Sequence, residues 1–572
     1  MKKLISLSLC LLLVAMAIPA LAYTPGEYTA SADGMNGPVE VIVTFDEGAI
    51  TSVTVGQHGE TPGVADPAIE RLPAAIVAGQ TLALDTVSGA TFTSNAILTA
   101  VADAVAQAGG DVAALKSASG EAAAVAEDEV IDVDVVVVGG GAAGIGAAYN
   151  AKEAGASVLL LEKQSHLGGN TLISGGLIYA TGTSFQAEAG VEDSVEALVD
   201  YWYERAEGNA DRDFLTLVAE RSNDTIVWLQ ENGVALTGPT TSGTSLVPRM
   251  QSTGMGGSGF ILPMTDAIVN LGVDIRYDTP AIALITDESG AVVGVEAMAA
   301  DGHKVTVNAK GVVLATGGFD GSQEMMRKYA PSYADEFFFA NAGNTGDGIN
   351  MAIAVGADTV FKDGVIGLRG IRPTSFADPQ NGLVWMPYLM VDQTGARFVD
   401  ESTDYPIIHS EMVKTGSHHF FLIFDGTQGS AEMFGALMDE GYAFCGETLE
   451  ELAAVTFMDE ATLLATVERY NALAGQEDED FGKAAALMGG VGEGPYFAVR
   501  VMPATIGTLG GIKIDLDMHV LSTDGTAIPG LYAAGATANG DFFYKEYPAS
   551  GTSIQMCFTT GRIAGTNAAA GK

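Results

Sequence analysis

The chain has 572 residues and carries 71 acidic against 27 basic side chains, a formal net charge of −44. That imbalance excludes nucleic acid and anionic membrane surfaces as partners, because the field of the whole chain repels polyanions. Its 3 cysteines offer no disulfide framework, no CxxCH is present for a covalent haem and no metal-ligating set is read, while 72 glycines suit a fold rich in turns and backbone-to-cofactor contacts.

Lys2 and Lys3 precede an apolar run from Leu4 to Ile18, and Ala20-Leu21-Ala22 follows as an A-x-A cleavage site. Residues 1–22 are therefore expected to be a signal peptide. No later segment is long and apolar enough to span a bilayer. The mature chain is expected to be exported, outside the cytoplasm and without a stable membrane span. Cys10 lies inside the apolar run, so Cys445 and Cys557 would remain after cleavage.

Residues 23–112 read as a small α+β unit. The stretch beginning at Glu27 alternates apolar and polar residues, with turn signals at Asp33-Gly34 and Glu47-Gly48, as in β-hairpins. Asp66 to Ala78 reads as a helix. Asp85 to Thr91 reads as a turn, and Ser94 as the N-cap of a helix running to about Ala108. Residues 113–130, rich in Ala, Ser, Glu and Asp, read as a linker.

From Val133 the pattern is a buried β-branched strand, a glycine turn, a helix and a second strand ending on Glu162. Gly139, Gly141 and Gly144 form GxGxxG. The first permits a tight turn, the second lets backbone approach a pyrophosphate, and the third lets helix pack close to strand. Glu162 falls where an acid accepts from a ribose hydroxyl. Gly168 to Thr171 and Ser174 to Gly176 are small residues able to lie against a flat ring. Further strands are read at 275–298, at 309–319 and at 528–537, with Asn344 to Gly348 opening a helix and a last helix following Tyr547. Residues 350–500 mix helix and loop, which suits a cap inserted into a cofactor domain made of 131–349 and 501–572.

Taken in order, GGGAAG, LLLEK, LGGNT with SGG, LATGGF, GDG, GARFVDE and IPGLYAAG resemble the soluble fumarate reductase and urocanate reductase family of FAD enzymes (the flavocytochrome c flavoprotein type). Similar motifs occur in 3-ketosteroid dehydrogenases. The resemblance covers essentially all of 131–572. It implies an α/β fold: a Rossmann-type FAD-binding domain with an inserted α+β capping domain, preceded by a small α+β FMN-binding domain. It also implies non-covalent FAD held by Gly139, Gly141, Ala143, Gly144, Glu162, Asn170, Thr171, Gly175, Gly176 and Asp347, with C-terminal contacts at Gly507, Gly535, Ser553 and Ile554. Asp85 to Thr91, DTVSGAT, resembles the site where a flavin transferase attaches FMN through a phosphodiester, here to Thr91. A reachable hydroxyl on a turn of small residues is what that chemistry needs. Electrons from an external donor would then enter at FMN and pass to FAD.

At the reaction site the sequence departs from the fumarate reductases. Their proton-donating arginine follows the G-x-R-F-x-N-E motif by four residues, and here that place is taken by Tyr405. The acid and arginine that relay protons upstream map to the apolar Gly382 to Pro387. A substrate-clamping arginine maps near Pro548, and a histidine beside it maps to Ile506. A dicarboxylate would lack most of its partners. Tyr547 and Gly551 instead have the spacing of the carbonyl-polarising pair of the ketosteroid dehydrogenases, in which an O–H and a backbone N–H share an oxyanion. Arg372, in IRPTS, reads either as a bidentate carboxylate ligand or as a structural ion pair. Arg397 reads as structural, and Asp404 and His409 as secondary candidates for proton traffic.

The expected activity is hydride transfer to the activated C=C of an α,β-unsaturated carboxylate or enone, in anaerobic respiration. The alternatives are a ketosteroid-type desaturation and a flavin electron carrier without a substrate of its own.

Overall fold

A computed structural model describes residues 23–117, 125–372 and 379–572. The expected signal peptide and part of the expected linker lie outside these residues. The described residues divide into two compact units, 23–60 with 65–117, and 61–64 with 125–372 and 379–572.

The small unit begins with an antiparallel sheet of β1 (Gly26–Asp33), β2 (Pro38–Phe45) and β3 (Ile50–Val55). Alternation drives it: Val39, Val41, Val43 and Phe45 of β2 are buried while the residues between them are not. Helices α1 (Asp66–Gly79) and α2 (Thr91–Gln107) cover that face with Leu72, Ile76, Ile97, Val101 and Val105. The start of α2 corrects the sequence reading, because its N-cap residue is Ala90, not Ser94. The Ser94 hydroxyl lies within the first turn and reaches back, donating to Ala90 O at 2.8 Å and accepting from Val87 N–H at 3.1 Å. The expected linker is also shorter than read. Its first residues form α3 (Val112–Ser117), held by buried Leu115, whose carbonyl accepts from Leu82 N–H and the Thr81 hydroxyl.

The large unit is organised on β4 (Glu129–Val138), α4 (Ala142–Glu153) and β5 (Val158–Leu161), with β4 and β5 parallel. They sit in an 8-stranded sheet whose parallel centre runs Ala527–Ala533, Lys304–Leu314, β4, β5 and Asp274–Arg276. Parallel strands bring their carboxyl ends to one edge, and the glycine turn, Glu162 and the Ala315–Gly317 turn all lie there. Helix α4 packs against the last helix, Thr552–Ala570, at backbone contact. A Cβ on Gly561 would come within 2.1 Å of Ala143 O, and one on Gly565 within 2.1 Å of Ala147 O.

The cap is built on a 6-stranded sheet around the strand Tyr496–Ile512, which pairs antiparallel with Thr359–Gly370, Phe420–Phe424 and Ala443–Gly446. This strand links two cores: Leu509 and Ile512 pack in the cofactor domain, whereas Phe497, Val499 and Val501 pack in the cap. The cap interior also holds a charge network. Arg397 donates Nε to Glu401 Oε1 at 2.8 Å and Nη2 to Glu401 Oε2 at 2.9 Å, and pairs with Asp478 at 2.8 Å. Lys483 Nζ reaches Glu401 at 3.0 Å and the Tyr470 hydroxyl at 2.8 Å. Charges this deeply buried are tolerable only when paired. The GARFVDE motif thus frames the cap through Arg397 and Glu401.

Candidate functional site

At the carboxyl end of β4 the chain turns through Gly139, at φ +99°, where a Cβ would lie 2.5 Å from Ala315 O. On Gly144 a Cβ would lie 1.8 Å from Gly139 O, so no side chain fits between helix and turn. On Gly141 it would meet nothing nearer than Gly168 O at 3.9 Å, leaving room at the uncapped amino end of α4. That amino end offers N–H donors and a positive dipole end to a phosphate. Glu162 is buried beside it, accepting from Gly140 N–H at 2.7 Å and Gln164 N–H at 2.8 Å. Burial pushes its carboxyl above the ordinary range. Lys163 Nζ pairs with Asp347 at 2.5 Å and donates to Thr345 at 2.7 Å.

One cavity of about 560 Å³ runs from this turn, within the ~300–1,000 Å³ of ligand and cofactor sites. Gly139, Gly141, Ala143, Glu162, Asn170, Thr171, Gly175, Asp347, Gly507, Ser553 and Ile554 line it. Asn170 is fixed there, donating to Ile506 O at 3.1 Å and accepting from Asn341 N–H at 2.6 Å. Three expected contacts are not on the wall. Gly144 packs against the turn. Gly176, at φ +72°, leaves no room before Gly256 O at 2.2 Å, and Gly535, at φ +68°, lies 2.7 Å from the Ala143 Cβ by the same measure. These glycines are required for close packing behind the wall. The lining fits a flavin dinucleotide: a phosphate cradle at α4, an acid after β5, and a long, largely apolar continuation.

At the far end stand Asp404, Tyr405, Tyr547, Ser550 and Gly551, drawn from the cap and from the loop before the last helix. Asp404 caps the cap helix Tyr405–Thr415, accepting from Tyr405 N–H at 2.9 Å. Its other oxygen accepts from the Ser242 hydroxyl at 2.8 Å and Gly243 N–H at 2.6 Å, and Ser242 Oγ accepts from Ser550 N–H at 2.8 Å. This chain of bonds ties Tyr405 to the loop that carries Tyr547. Burial raises the Tyr405 phenol well above its ordinary value, and charge on Tyr547 or Asp404 acts in the same direction, while the Ser550 side chain is in hydrogen-bonding reach. Burial likewise raises Tyr547. Both phenols therefore hold their protons.

Tyr547 and Gly551 both line the cavity. The Tyr547 oxygen accepts from Ser553 N–H at 2.9 Å, so an amino-terminal N–H of the last helix polarises the phenol and leaves its own proton to donate. Gly551 is needed because φ is +90° and a Cβ would lie 2.7 Å from Ile178 C.

Arg372 is not brought to the cavity. Its Nη1 lies 2.7 Å from both Glu440 oxygens, the ion-pair arrangement. His409 is also away from the wall, with Nε2 3.0 Å from both Glu336 oxygens and its ring filling the space left by Gly367. The sequence reading missed Trp385, Ile366 and Phe339, which wall the far end. Trp385 meets Tyr405 edge to face at 5.7 Å. It is one of 3 tryptophans in the chain, and that rarity was the one available signal.

On the small unit, Thr91 is exposed at the first position of α2, after a turn in which Gly89 takes φ +83°. Thr93 is buried and donates to buried Glu60. Only the first of these hydroxyls is open to modification.

A dinucleotide cradle on a parallel sheet, with one protonated phenol from an inserted cap and a second from the loop before the last helix, defines an FAD-dependent oxidoreductase with an accessory flavin domain. The comparisons agree. The family model "FAD binding domain" matches residues 134–554 and "FMN-binding domain" matches 34–106. A urocanate reductase of Eggerthella lenta is 34% identical over 95% of this chain and 92% of its own. Among solved structures, a flavocytochrome c3 fumarate reductase is similar with a TM-score of 0.64 and 32% identity, covering 79% of this chain and 80% of that one. A 3-ketosteroid-Δ4-(5α)-dehydrogenase from Rhodococcus jostii RHA1 also gives 0.64, at 30% identity, covering 78% and 99%. The chain belongs to the fumarate and urocanate reductase-like family of FAD flavoproteins, acting on carbon–carbon double bonds, with FAD and FMN as cofactors. Among the described residues, no helix is long and apolar enough to cross a membrane.

Proposed function

We propose that this flavoprotein reduces the activated C=C of an α,β-unsaturated carboxylate or enone at the Tyr405–Tyr547 end of the cavity. The observation that carries the reading is the pair of phenols on one cavity wall, Tyr547 buried and Tyr405 partly buried, drawn from opposite sides of the cap boundary. When bound, reduced FAD supplies a hydride, two electrons and one hydrogen, to the β-carbon. Tyr547 donates to the carbonyl oxygen, where negative charge develops, and the Ser553 N–H on its oxygen leaves its proton free to donate. Tyr405 gives its proton to the α-carbon, completing the saturated product, and recovers it through the Ser550 side. A phenol with a raised pKa is a poor acid toward water but a sufficient one toward a strongly basic enolate carbon. Buried Ile366 and Phe339 and the edge of Trp385 give the reacting carbons an apolar wall.

We also propose that Thr91 carries FMN through a phosphodiester installed by a flavin transferase. Its exposed hydroxyl at an uncapped helix amino end, where a phosphate is favoured, supports this. The enzyme would be exported, receive electrons at FMN from an external donor, and serve anaerobic respiration.

The test is anaerobic reoxidation of the dithionite-reduced holoenzyme by a panel of enoates and enones. Failure of every member sinks the reductase reading. The likeness to a ketosteroid dehydrogenase keeps desaturation as a second reading, and assays in both directions separate the two. Intact mass of the exported protein, with Thr91→Val and Thr93→Val as the variants, tests the attachment site.

A further inference from the structure

We infer that the substrate end selects an uncharged α,β-unsaturated carbonyl, a ketone or aldehyde, and discriminates against the carboxylate of the same skeleton. The inference rests on the reductase reading and narrows it. Among the described residues, Lys163 is the one cation on the cavity wall, and it is committed to Asp347 and Thr345 beside Glu162, at the glycine-turn end. At the other end the charged group on the wall is the Asp404 carboxylate. Three donors hold it in place: Tyr405 N–H, Ser242 Oγ–H and Gly243 N–H. The arginine expected from sequence, Arg372, lies outside the wall with its Nη1 between both Glu440 oxygens. Residues 373–378 read PTSFAD and contain no lysine, arginine or histidine.

A substrate carboxylate would therefore lie beside an anion and against Ile366, Ile506 and the 43% exposed Trp385, without a partner charge. Partial loss of water next to a like charge, with no cation to offset it, is unfavourable. A neutral carbonyl needs only one good donor for the charge that appears on its oxygen, and Tyr547 is that donor. The charge then develops only in the transition state, where a donor accelerates reaction, and no ground-state charge has to be desolvated.

The experiment uses the FAD- and FMN-loaded full-length enzyme and matched pairs on small and large skeletons: but-3-en-2-one against acrylate, and 4-phenylbut-3-en-2-one and cinnamaldehyde against cinnamate. The expected result is a kcat/KM at least ~100-fold higher for the neutral member of a pair. In the oxidised enzyme 4-phenylbutan-2-one should perturb the flavin absorption spectrum at concentrations where 3-phenylpropanoate does not. A carboxylate turned over as well as its neutral partner overturns this inference and leaves the reductase reading standing. Reduction of neither member in any pair overturns both. Asp404→Asn should lower the neutral-to-carboxylate ratio, a readout that a purely structural defect would leave unmoved; an unchanged ratio removes Asp404 as the discriminating group.

Discussion

The two ends of the cavity are built on opposite principles. At the glycine-turn end a single stretch, β4 through β5, supplies turn, helix amino end and acid. Gly139 and Gly144 there are dictated by a positive φ or a backbone contact, and Gly141 leaves room for a ligand. At the substrate end, Tyr405 comes from the cap, Tyr547 and Ser550 from the loop before the last helix, and Trp385 from the segment that replaces a polar relay. Backbone groups bind what the whole family shares, whereas side chains from distant segments choose the reaction partner. The charges divide in the same way. Arg397 and Lys483 are spent in a paired network inside the cap, and the reacting end keeps neutral phenols and one fixed carboxylate.

The sharpest way to break this contrast is at the glycine turn. Gly144→Ala puts a methyl group 1.8 Å from Gly139 O, which neither helix nor strand can yield to. The purified variant should retain no FAD by absorbance, while FMN on the small unit is kept. Next in size is Tyr405→Phe, which should leave both flavins in place and lower steady-state alkene reduction about 10²–10⁴-fold, the range for loss of a general acid. Tyr547→Phe should cost about 10²–10³-fold in kcat, as for an oxyanion donor. If either phenylalanine variant turns over at the parental rate, its proton is not the one used.

A smaller effect probes the support behind the wall. Asp320 is buried, accepts from Asn344 Nδ2 at 2.5 Å, and its other oxygen has no partner; burial raises its carboxyl from 3.8 to about 7. Because the fold favours the neutral form, its stability is intact below about pH 4 and is eroded as pH rises through 7. Asp320→Asn removes that titration. Its thermal midpoint should match the parent at pH 4 and exceed it at pH 8.5, by up to a stability on the order of 4 kcal/mol. Equal midpoints at both pH values would mean that Asp320 is paired in solution. The smallest effect is expected from Arg372→Ala. Outside the cavity and bonded to Glu440, it should change kcat/KM for any substrate by less than about 3-fold, since an ion pair on the cap exterior contributes little. A large rise in KM for carboxylates alone would return Arg372 to the substrate.

What the sequence determined by itself is what depends on neighbours along the chain. The βαβ unit, the alternation in β2, the glycines of the turn and the acid after β5 are all local patterns, and each was legible. Helix α2 was legible too, although its start was misjudged because Ser94 resembles a cap and instead closes back on Ala90. Thr91 could be picked out by its motif. That Thr93 is unavailable could not, because only the fold buries it against Glu60. Tertiary structure alone decided the rest. Arg372 was ambiguous because Glu440 is distant in sequence, and Trp385 had no motif around it. Tyr547 and Gly551 were paired by their spacing, but the Ser553 N–H that bonds the Tyr547 oxygen had no mark in the sequence. An amide or guanidinium goes to whichever partner the folded chain holds nearest, and that distance is not written in spacing along the sequence.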